Sequence, residues 1–235
     1  MDRHVFSRRA GPTRVVLFDL DGTLLDTTPL VRASTHYALR SVAGTDVADE
    51  VLTPYLGRTL ETQFRGLFPD ADDALVDRLV RAYRTHNDEV HDRSVAPMPG
   101  AREAVGWLRG QGIALGVVSS KRRLMVERGL RWLGLEDAFT VVVGVESTTR
   151  HKPDPDPLEL ALGHFPGVSP AEAVMVGDSP YDMAAARAAR IDGVAVLGNT
   201  FTHQDLVRAG AVAVLATLFE LPAWIRPDLG SGGGL

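Results

Sequence analysis

Asp19 and Asp21 form the pair of residues in this sequence that most suggests chemistry. They follow the apolar run 15–18 and precede Gly22. Carboxylates this close repel each other, and they coexist where a cation lies between them or a proton is shared. Mg²⁺ prefers hard oxygen ligands and would relieve that repulsion. A plain turn is the competing interpretation, because Asp-Gly is a frequent turn pair.

Two hydroxyl residues, Ser119 and Ser120, end another apolar run and precede a helical pattern. Hydroxyl groups and backbone N–H groups at such a strand-to-helix junction can hold a phosphate group. A serine N-cap explains the same pattern, and this segment taken by itself favours that explanation.

A lysine, Lys152, precedes three alternating prolines, Pro153, Pro155 and Pro157. The prolines stiffen the backbone and hold the lysine at a fixed place, and a fixed cation suits a phosphoryl group in transfer. A solvated loop lysine is an equally good interpretation of this segment alone.

A fourth apolar run ends at Asp178, and Asp182 follows four residues later. Ser179 has the pattern of an N-cap and Pro180 that of a first helical residue, so Asp182 falls in the first turn, near the strand ends. Asp182 also fits a capping box, a role that is compatible with function.

The elements that must position these residues alternate along the chain. Short apolar runs rich in β-branched residues predict buried strands at 15–18, 113–118, 139–143, 173–176, 194–197 and 212–215. Between them, helical patterns occur at 101–110, 122–133, 157–164, 181–189 and 203–209. This alternation predicts an α/β fold with a parallel sheet, whose ligands bind beyond the carboxyl ends of the strands.

One region breaks the alternation. Residues 27–96 contain no convincing strand; helices are predicted from Thr28-Pro29 and from an apolar stripe between Leu75 and Tyr83. We therefore predict a catalytic core of residues 1–26 and 97–226, with residues 27–96 as an inserted helical cap that can act as a lid. Residues 1–13 and 227–235 lack an apolar period, and we predict that they form a loose arm and a flexible tail.

The composition excludes several classes of protein. The 235 residues carry a formal net charge of −5 with no block of Lys and Arg, which argues against a nucleic-acid partner. The chain has no cysteine, which excludes disulfides, thiolate metal sites and a cysteine nucleophile. No stretch reaches the roughly 18 apolar residues that a membrane span needs, and no secretory signal is evident, so we expect a cytoplasmic protein.

The four segments together resemble the haloacid dehalogenase (HAD) superfamily of phosphohydrolases. The resemblance covers about residues 14–221, and it rests on Asp19-Leu20-Asp21-Gly22-Thr23, Ser119, Lys152, Gly177-Asp178-Ser179 and Asp182. It implies a Rossmann-like parallel core, and the insertion resembles the family's C1 type of helical cap.

Weaker features resemble the phosphoglycolate phosphatase branch and the bacterial HAD-type inorganic pyrophosphatases. They are residues 83–87, His91-Asp92, Gly129-Leu130 with Gly134-Leu135, and residues 152–157. Two departures are visible: Ser119-Ser120 stands where Thr-Asn is common, and residues 189–193 lack a frequent Ala-Gly pair.

The resemblance implies a mechanism in which Asp19 attacks phosphorus and Asp21 acts as general acid and base. Mg²⁺ would be held by the Asp19 carboxylate, the Asp21 carbonyl and Asp178, with Asp182 beside it. The residues implied for substrate binding are Gly22, Thr23, Ser119, Ser120 (through its backbone N–H) and Lys152, the last also counted as catalytic.

The cap is expected to set specificity. Arg58 is the best candidate, because an arginine can grip a second anionic group with two hydrogen bonds; a surface arginine before a helix at 59–67 is the alternative. His86, Asn87 and His91 are expected to be ordinary solvated helix residues; the alternative is that they belong to the same end of the cap as Arg58.

The leading hypothesis is a Mg²⁺-dependent phosphatase acting on a small phosphorylated metabolite or on pyrophosphate, as a monomer or homodimer. A sugar-phosphate mutase of the same superfamily would use the same core. A phospho-accepting regulatory domain is the alternative from another class, but Asp21 and the cap argue against it. Asp21 also argues against a haloacid dehalogenase, which needs neither that residue nor Mg²⁺.

Overall fold

The computed structural model describes residues 11–198 and 200–226. The predicted tail, 227–235, lies outside these residues, as do residues 1–10 of the predicted arm.

The strands and helices follow the predicted order closely. The strands are β1 Val15–Phe18, β2 Leu25–Asp26, β3 Ala96–Pro97, β4 Ala114–Val118, β5 Val141–Val143, β6 Ala173–Gly177, β7 Asp192–Val196 and β8 Ala213–Leu215. The α-helices are α1 Thr28–Ala38, α2 Asp49–Leu52, α3 Leu60–Leu67, α4 Asp73–Val90, α5 Ala101–Gly110, α6 Arg123–Leu133, α7 Asp156–Leu162, α8 Pro180–Ala188, α9 His203–Ala209 and α10 Leu221–Ile225.

A parallel sheet lies at the centre of the molecule. Within the described residues it has six strands in the order β5-β4-β1-β6-β7-β8. Strand β1 lies between β4 and β6, with Val15 opposite both Ala114 and Ala173. The predicted α/β fold with a Rossmann-like core is therefore confirmed, and the residues that follow β1, β4 and β6 meet at one edge.

Both faces of the sheet are covered by helices, so side chains of both registers are buried. Val16 and Phe18 belong to one apolar cluster, while Val15 and Leu17 belong to another on the opposite face. All four are completely buried, which explains why the strand has a continuous apolar run instead of an alternating one.

Helices α1 to α4 lie in the segment predicted as the cap. The side chain of Asp72 caps α4 by accepting from the Leu75 N–H at 2.7 Å. Val76, Leu79 and Tyr83 on that helix are buried in an apolar cluster formed by residues of this segment.

The cap segment begins and ends on a short antiparallel pair that the sequence did not predict. Leu25 pairs with Pro97, and Asp26 with Ala96. Two residues per strand are too few to show an alternating pattern. The expectation that residues 27–96 contain no strand is therefore wrong at residue 96, where β3 begins. The cap is connected to the sheet through this two-stranded ribbon.

Polar contacts join the cap to the core. The Ser120 hydroxyl donates to the Gly57 carbonyl at 2.9 Å. One nitrogen of Arg122 donates to both carboxylate oxygens of Asp88, at 3.0 and 2.9 Å. Arg128 also donates to the Asp88 carbonyl at 2.8 Å.

One non-glycine residue adopts a left-handed backbone among the described residues: Arg190, with φ of +60°. It lies between α8 and β7, in the stretch where the sequence departs from the family's pattern. No helix in residues 11–198 and 200–226 is long and apolar enough to cross a membrane.

Candidate active site

The site begins where β1 ends. The Asp19 backbone N–H donates to the Val176 carbonyl of β6 at 2.9 Å, which fixes the start of the loop against the neighbouring strand. Gly22 then turns the chain with φ of +77°. Asp19 is buried, while Asp21 faces a cavity beneath the cap that both residues line.

Lys152 lies beside Asp19 and is itself buried. Its ammonium group donates to the Val118 carbonyl at 3.1 Å and to Asp182 Oδ1 at 2.6 Å, and it lies 3.2 Å from Asp19 Oδ1. Burial opposes the charged form, but Asp182 and Asp19 outweigh it and raise the pKa of Lys152. The lysine is therefore a fixed cation, as the proline-rich segment predicted.

Asp178 follows β6 and contacts the loop after β1. The Thr23 hydroxyl donates to its Oδ1 at 3.3 Å. A Cβ on Gly22 would lie 2.2 Å from its Oδ2, so a glycine is what allows the carboxylate to approach this closely. The substrate-binding role expected of Gly22 and Thr23 stays a prediction, because their contacts here are with Asp178.

Asp182 is completely buried in the first turn of α8. Its Oδ1 accepts from Lys152, and its Oδ2 accepts from the Ser179 hydroxyl at 2.5 Å and the Ser179 N–H at 3.1 Å. The predicted capping box is present. Asp182 thus positions Lys152 and caps the helix, and its place beside a metal stays a prediction.

Three buried carboxylates converge at this edge of the sheet. Asp19, Asp178 and Asp182 each offer an oxygen, and these atoms lie within 4.8 Å of one another. Oδ1 of Asp19 is buried, and its nearby charged partner among the described residues is the Lys152 ammonium, 3.2 Å away. This donor set suits a hard divalent cation such as Mg²⁺.

The electrostatics of the cluster show how poorly its charge is balanced by the protein. Burial, opposed by Lys152 but reinforced by Asp182 and Asp21, raises the pKa of Asp19 to about 7. Burial together with Asp182 and Asp19 raises the pKa of Asp178 well above its usual value. A bound cation would reverse both shifts by favouring the ionised forms.

The segment after β4 brings the hydroxyls to the same edge. Ser119 is buried next to the cavity, and its hydroxyl accepts from the Lys121 N–H at 3.2 Å. Lys121 then extends to Asp21, with 2.7 Å between Nζ and Oδ1. Sequence reasoning assigned Lys121 no role, because its partner is 100 residues away and nothing in the local pattern indicates the pairing.

The cavity between core and cap has about 730 Å³ of empty space, part of it open to solvent. Asp19, Asp21 and Ser119 line its core side. Arg58 lines its cap side, and its guanidinium stacks 4.6 Å from the centre of the Tyr181 ring. The predicted cap residue therefore faces the same space as the predicted nucleophile.

The expectation of solvated residues at the end of the cap is wrong for two of three positions. Asn87 and His91 are buried, whereas His86 is half-buried. Asn87 lies four residues after Tyr83, so the helical period continues the buried face of α4 to it, and this spacing was the available signal. Asn87 donates to the Ser34 and Tyr83 hydroxyls, each at 3.4 Å.

Comparisons with known proteins agree with this geometry. The family model described as haloacid dehalogenase-like hydrolase matches residues 16–196. The chain belongs to the haloacid dehalogenase-like hydrolase family. The predicted resemblance is confirmed, and the chain is a phosphatase enzyme of this family.

Two named relatives are similar over most of their length. The pyrophosphatase PpaX of Bacillus pumilus is 37% identical over 213 residues, which is 91% of this chain and 96% of the relative. The pyrophosphatase PpaX of Halalkalibacterium halodurans is 34% identical over 82% of this chain and 87% of the relative. Among solved structures, a hydrolase from Pseudomonas syringae shares the fold, with a TM-score of 0.82 at 24% identity over 92% of this chain and 99% of that one.

Proposed function

We propose that this phosphatase hydrolyses a small phosphate monoester of the phosphoglycolate kind or inorganic pyrophosphate, using Mg²⁺ and an aspartyl-phosphate intermediate. One observation carries the proposal: the carboxylates of Asp19, Asp178 and Asp182 converge within 4.8 Å beside a buried lysine. The relatives named as pyrophosphatases support the choice of pyrophosphate.

Asp19 is the proposed nucleophile. One of its carboxylate oxygens forms a bond to phosphorus while the bond from phosphorus to the leaving oxygen breaks. The electron pair stays on the leaving oxygen, which takes a proton from Asp21. Lys152 and Ser119 hold the non-bridging oxygens, and Lys152 also keeps Asp19 in place, since its Nζ lies 3.2 Å from the carboxylate.

The second step returns Asp19 to its starting state. Water attacks phosphorus, Asp21 accepts a proton from that water, and the bond between phosphorus and Asp19 breaks to release phosphate. Lys121 holds the Asp21 carboxylate at 2.7 Å and so fixes the group that acts in both steps.

Asp19, Asp178 and the backbone carbonyl of Asp21 are the groups proposed to hold Mg²⁺, with Asp182 beside them. When bound, the cation would neutralise the repulsion between an anionic nucleophile and an anionic phosphate. A cytoplasmic location and a monomeric or homodimeric state stay predictions.

The test is release of inorganic phosphate from pyrophosphate and 2-phosphoglycolate, with Mg²⁺ and after its removal by a chelator. Asp19→Asn should lower turnover by at least about 1,000-fold, as loss of a catalytic nucleophile does. Asp77→Asn, at an exposed position on α4, removes the same charge and should leave turnover unchanged. Undiminished turnover by Asp19→Asn would refute the nucleophile assignment.

The same assay separates the alternatives. A mutase would convert a sugar phosphate into its isomer without net release of phosphate. A phospho-accepting regulatory domain would retain a phosphorylated protein for minutes, which mass spectrometry after mixing with a phosphoryl donor would detect.

A further inference from the structure

The charges that line the cavity are mostly paired within the protein. Asp21 is paired with Lys121, and Asp88 receives two hydrogen bonds from Arg122. The charges of Lys121 and Arg122 on the core side are therefore balanced by carboxylates, and they are not free to recognise the leaving group of the substrate. The cap side of the cavity, by contrast, has two arginines that are not fully paired, Arg58 and Arg84.

Arg84 on α4 is a cation of the cavity wall with a buried hydrogen-bond donor left unpaired. Its Nη2 donates to Glu61 at 3.2 Å, and its Nε is buried with no partner among the described residues. Leaving a buried N–H unpaired is costly, and native proteins rarely do so unless a ligand or water supplies the acceptor. The guanidinium therefore has unused hydrogen-bonding capacity beside the cavity.

The neighbours of Arg84 complete a polar wall. Gln63 and Asn87, which are both about 2% exposed, line the cavity with neutral amides, and Arg58 adds a second cation. Arg58 is stacked on Tyr181 and has no ion pair among the described residues. The cap carboxylates that line the cavity, Glu61 and Asp88, are paired with Arg84 and with Arg122 of the core. The cap wall thus presents the Arg58 guanidinium without a partner carboxylate and the unpaired Nε of Arg84.

We propose that this wall is a binding subsite for an anionic group on the leaving part of the substrate, with Arg84 as its main contact. The inference rests on the proposed function, and it narrows the substrate class to phosphoryl compounds whose leaving group carries its own negative charge. The second phosphoryl group of pyrophosphate or the carboxylate of phosphoglycolate would meet this requirement. An aryl phosphate has no such group.

The test compares pyrophosphate with p-nitrophenyl phosphate as substrates of the full chain. Loss of one charge-assisted hydrogen bond typically weakens binding by about 10- to 100-fold. Arg84→Gln should raise KM for pyrophosphate by that factor, with a smaller change in kcat, and leave KM for the aryl phosphate within about threefold. Arg81→Gln, one turn earlier on the exposed face of α4, is the matched control and should change neither value.

A substitution at Glu61 distinguishes a binding role from a structural one. If Arg84 binds substrate, Glu61→Gln frees its guanidinium and lowers KM for pyrophosphate, whereas Arg84→Gln raises it. If the Arg84–Glu61 pair merely supports the cap, both substitutions impair the enzyme in the same direction, and equally for both substrates. That result would overturn the subsite, as would an Arg84→Gln enzyme with an unchanged ratio of the two KM values.

Binding measurements separate this inference from the proposed function. Calorimetry with Mg²⁺ would compare pyrophosphate and inorganic phosphate as ligands of Asp19→Asn and of Asp19→Asn with Arg84→Gln. The second substitution should weaken pyrophosphate binding by about 10- to 100-fold and phosphate binding little. If the wild type hydrolyses no phosphate compound but this difference persists, the proposed reaction fails and the subsite stands. Equal pyrophosphate affinity of the two variants would overturn the subsite whatever the turnover.

Discussion

Replacing Gly22 by alanine should inactivate the enzyme far more than it destabilises the fold. A Cβ at this position would lie 2.2 Å from Oδ2 and 2.6 Å from Cγ of Asp178. An ordinary contact between such atoms is about 3.4 Å or longer, so the carboxylate must shift by roughly 1 Å. Displacements of about 1 Å in a catalytic site can cost about 100-fold in rate, and we expect a loss of that size in kcat/KM.

The same substitution also strains the backbone, because Gly22 has φ of +77°. A left-handed conformation costs a non-glycine residue roughly 1–2 kcal/mol, which for a chain of this size lowers the melting temperature by roughly 2–8 °C. Gly44→Ala isolates this term, since Gly44 has φ of +64° and a Cβ there would meet nothing within 4 Å. Both variants should show a similar loss of thermal stability.

Two measurements decide the matter: thermal unfolding of both variants, and phosphate release under saturating Mg²⁺. Gly44→Ala should keep wild-type kcat/KM despite its lower melting temperature. If Gly22→Ala kept it too, the close approach of Asp178 to the loop after β1 would have no part in catalysis, and the reasoning from geometry would be refuted.

Two further predictions concern stability. Arg190→Gly relieves the left-handed strain at φ of +60°. Glycine also has a greater conformational entropy in the unfolded chain, which offsets part of this gain, so the free energy of unfolding should rise by about 0.5–1 kcal/mol. A lower melting temperature would contradict this. Hydrogen bonds to Asp46 and Asp49 raise the pKa of His36, so its stabilising contribution should be complete below the ordinary histidine pKa of about 6.5 and vanish as pH rises through the folded value. His36→Gln should therefore lower the melting temperature more at pH 5.5 than at pH 8.5, and a difference that grew with pH would contradict this.

The sheet and its catalytic edge could be predicted because their signals are local. Strands buried on both faces require continuous apolar runs, and Asp19 and Asp178 each stand directly after one. Because neighbouring parallel strands end at the same edge of a sheet, these residues come together regardless of the length of the connections between the strands. The convergence of the two aspartates at one edge of the sheet was thus accessible from position and residue type alone.

Other features depend on tertiary contacts that no local pattern carries. The pairing of Lys121 with Asp21 and the unpaired Nε of Arg84 are set by side-chain packing between segments far apart in sequence. The ribbon of Leu25–Asp26 with Ala96–Pro97 is too short to show a period. The burial of Asn87 was not predicted because a polar residue does not contribute to an apolar stripe, although its position lies on the buried face of α4.

The cap's buried apolar residues form a cluster of their own, while both faces of the sheet have separate clusters. Apart from Val95, which packs against a core cluster beside the ribbon, and Arg58, which stacks on Tyr181, the contacts described between cap and core are hydrogen bonds and ion pairs, whose partners water can replace. Opening of the predicted lid would therefore leave the packing within each apolar cluster largely intact. Such an opening would draw little on the free energy that stabilises the cap cluster or the two clusters of the sheet.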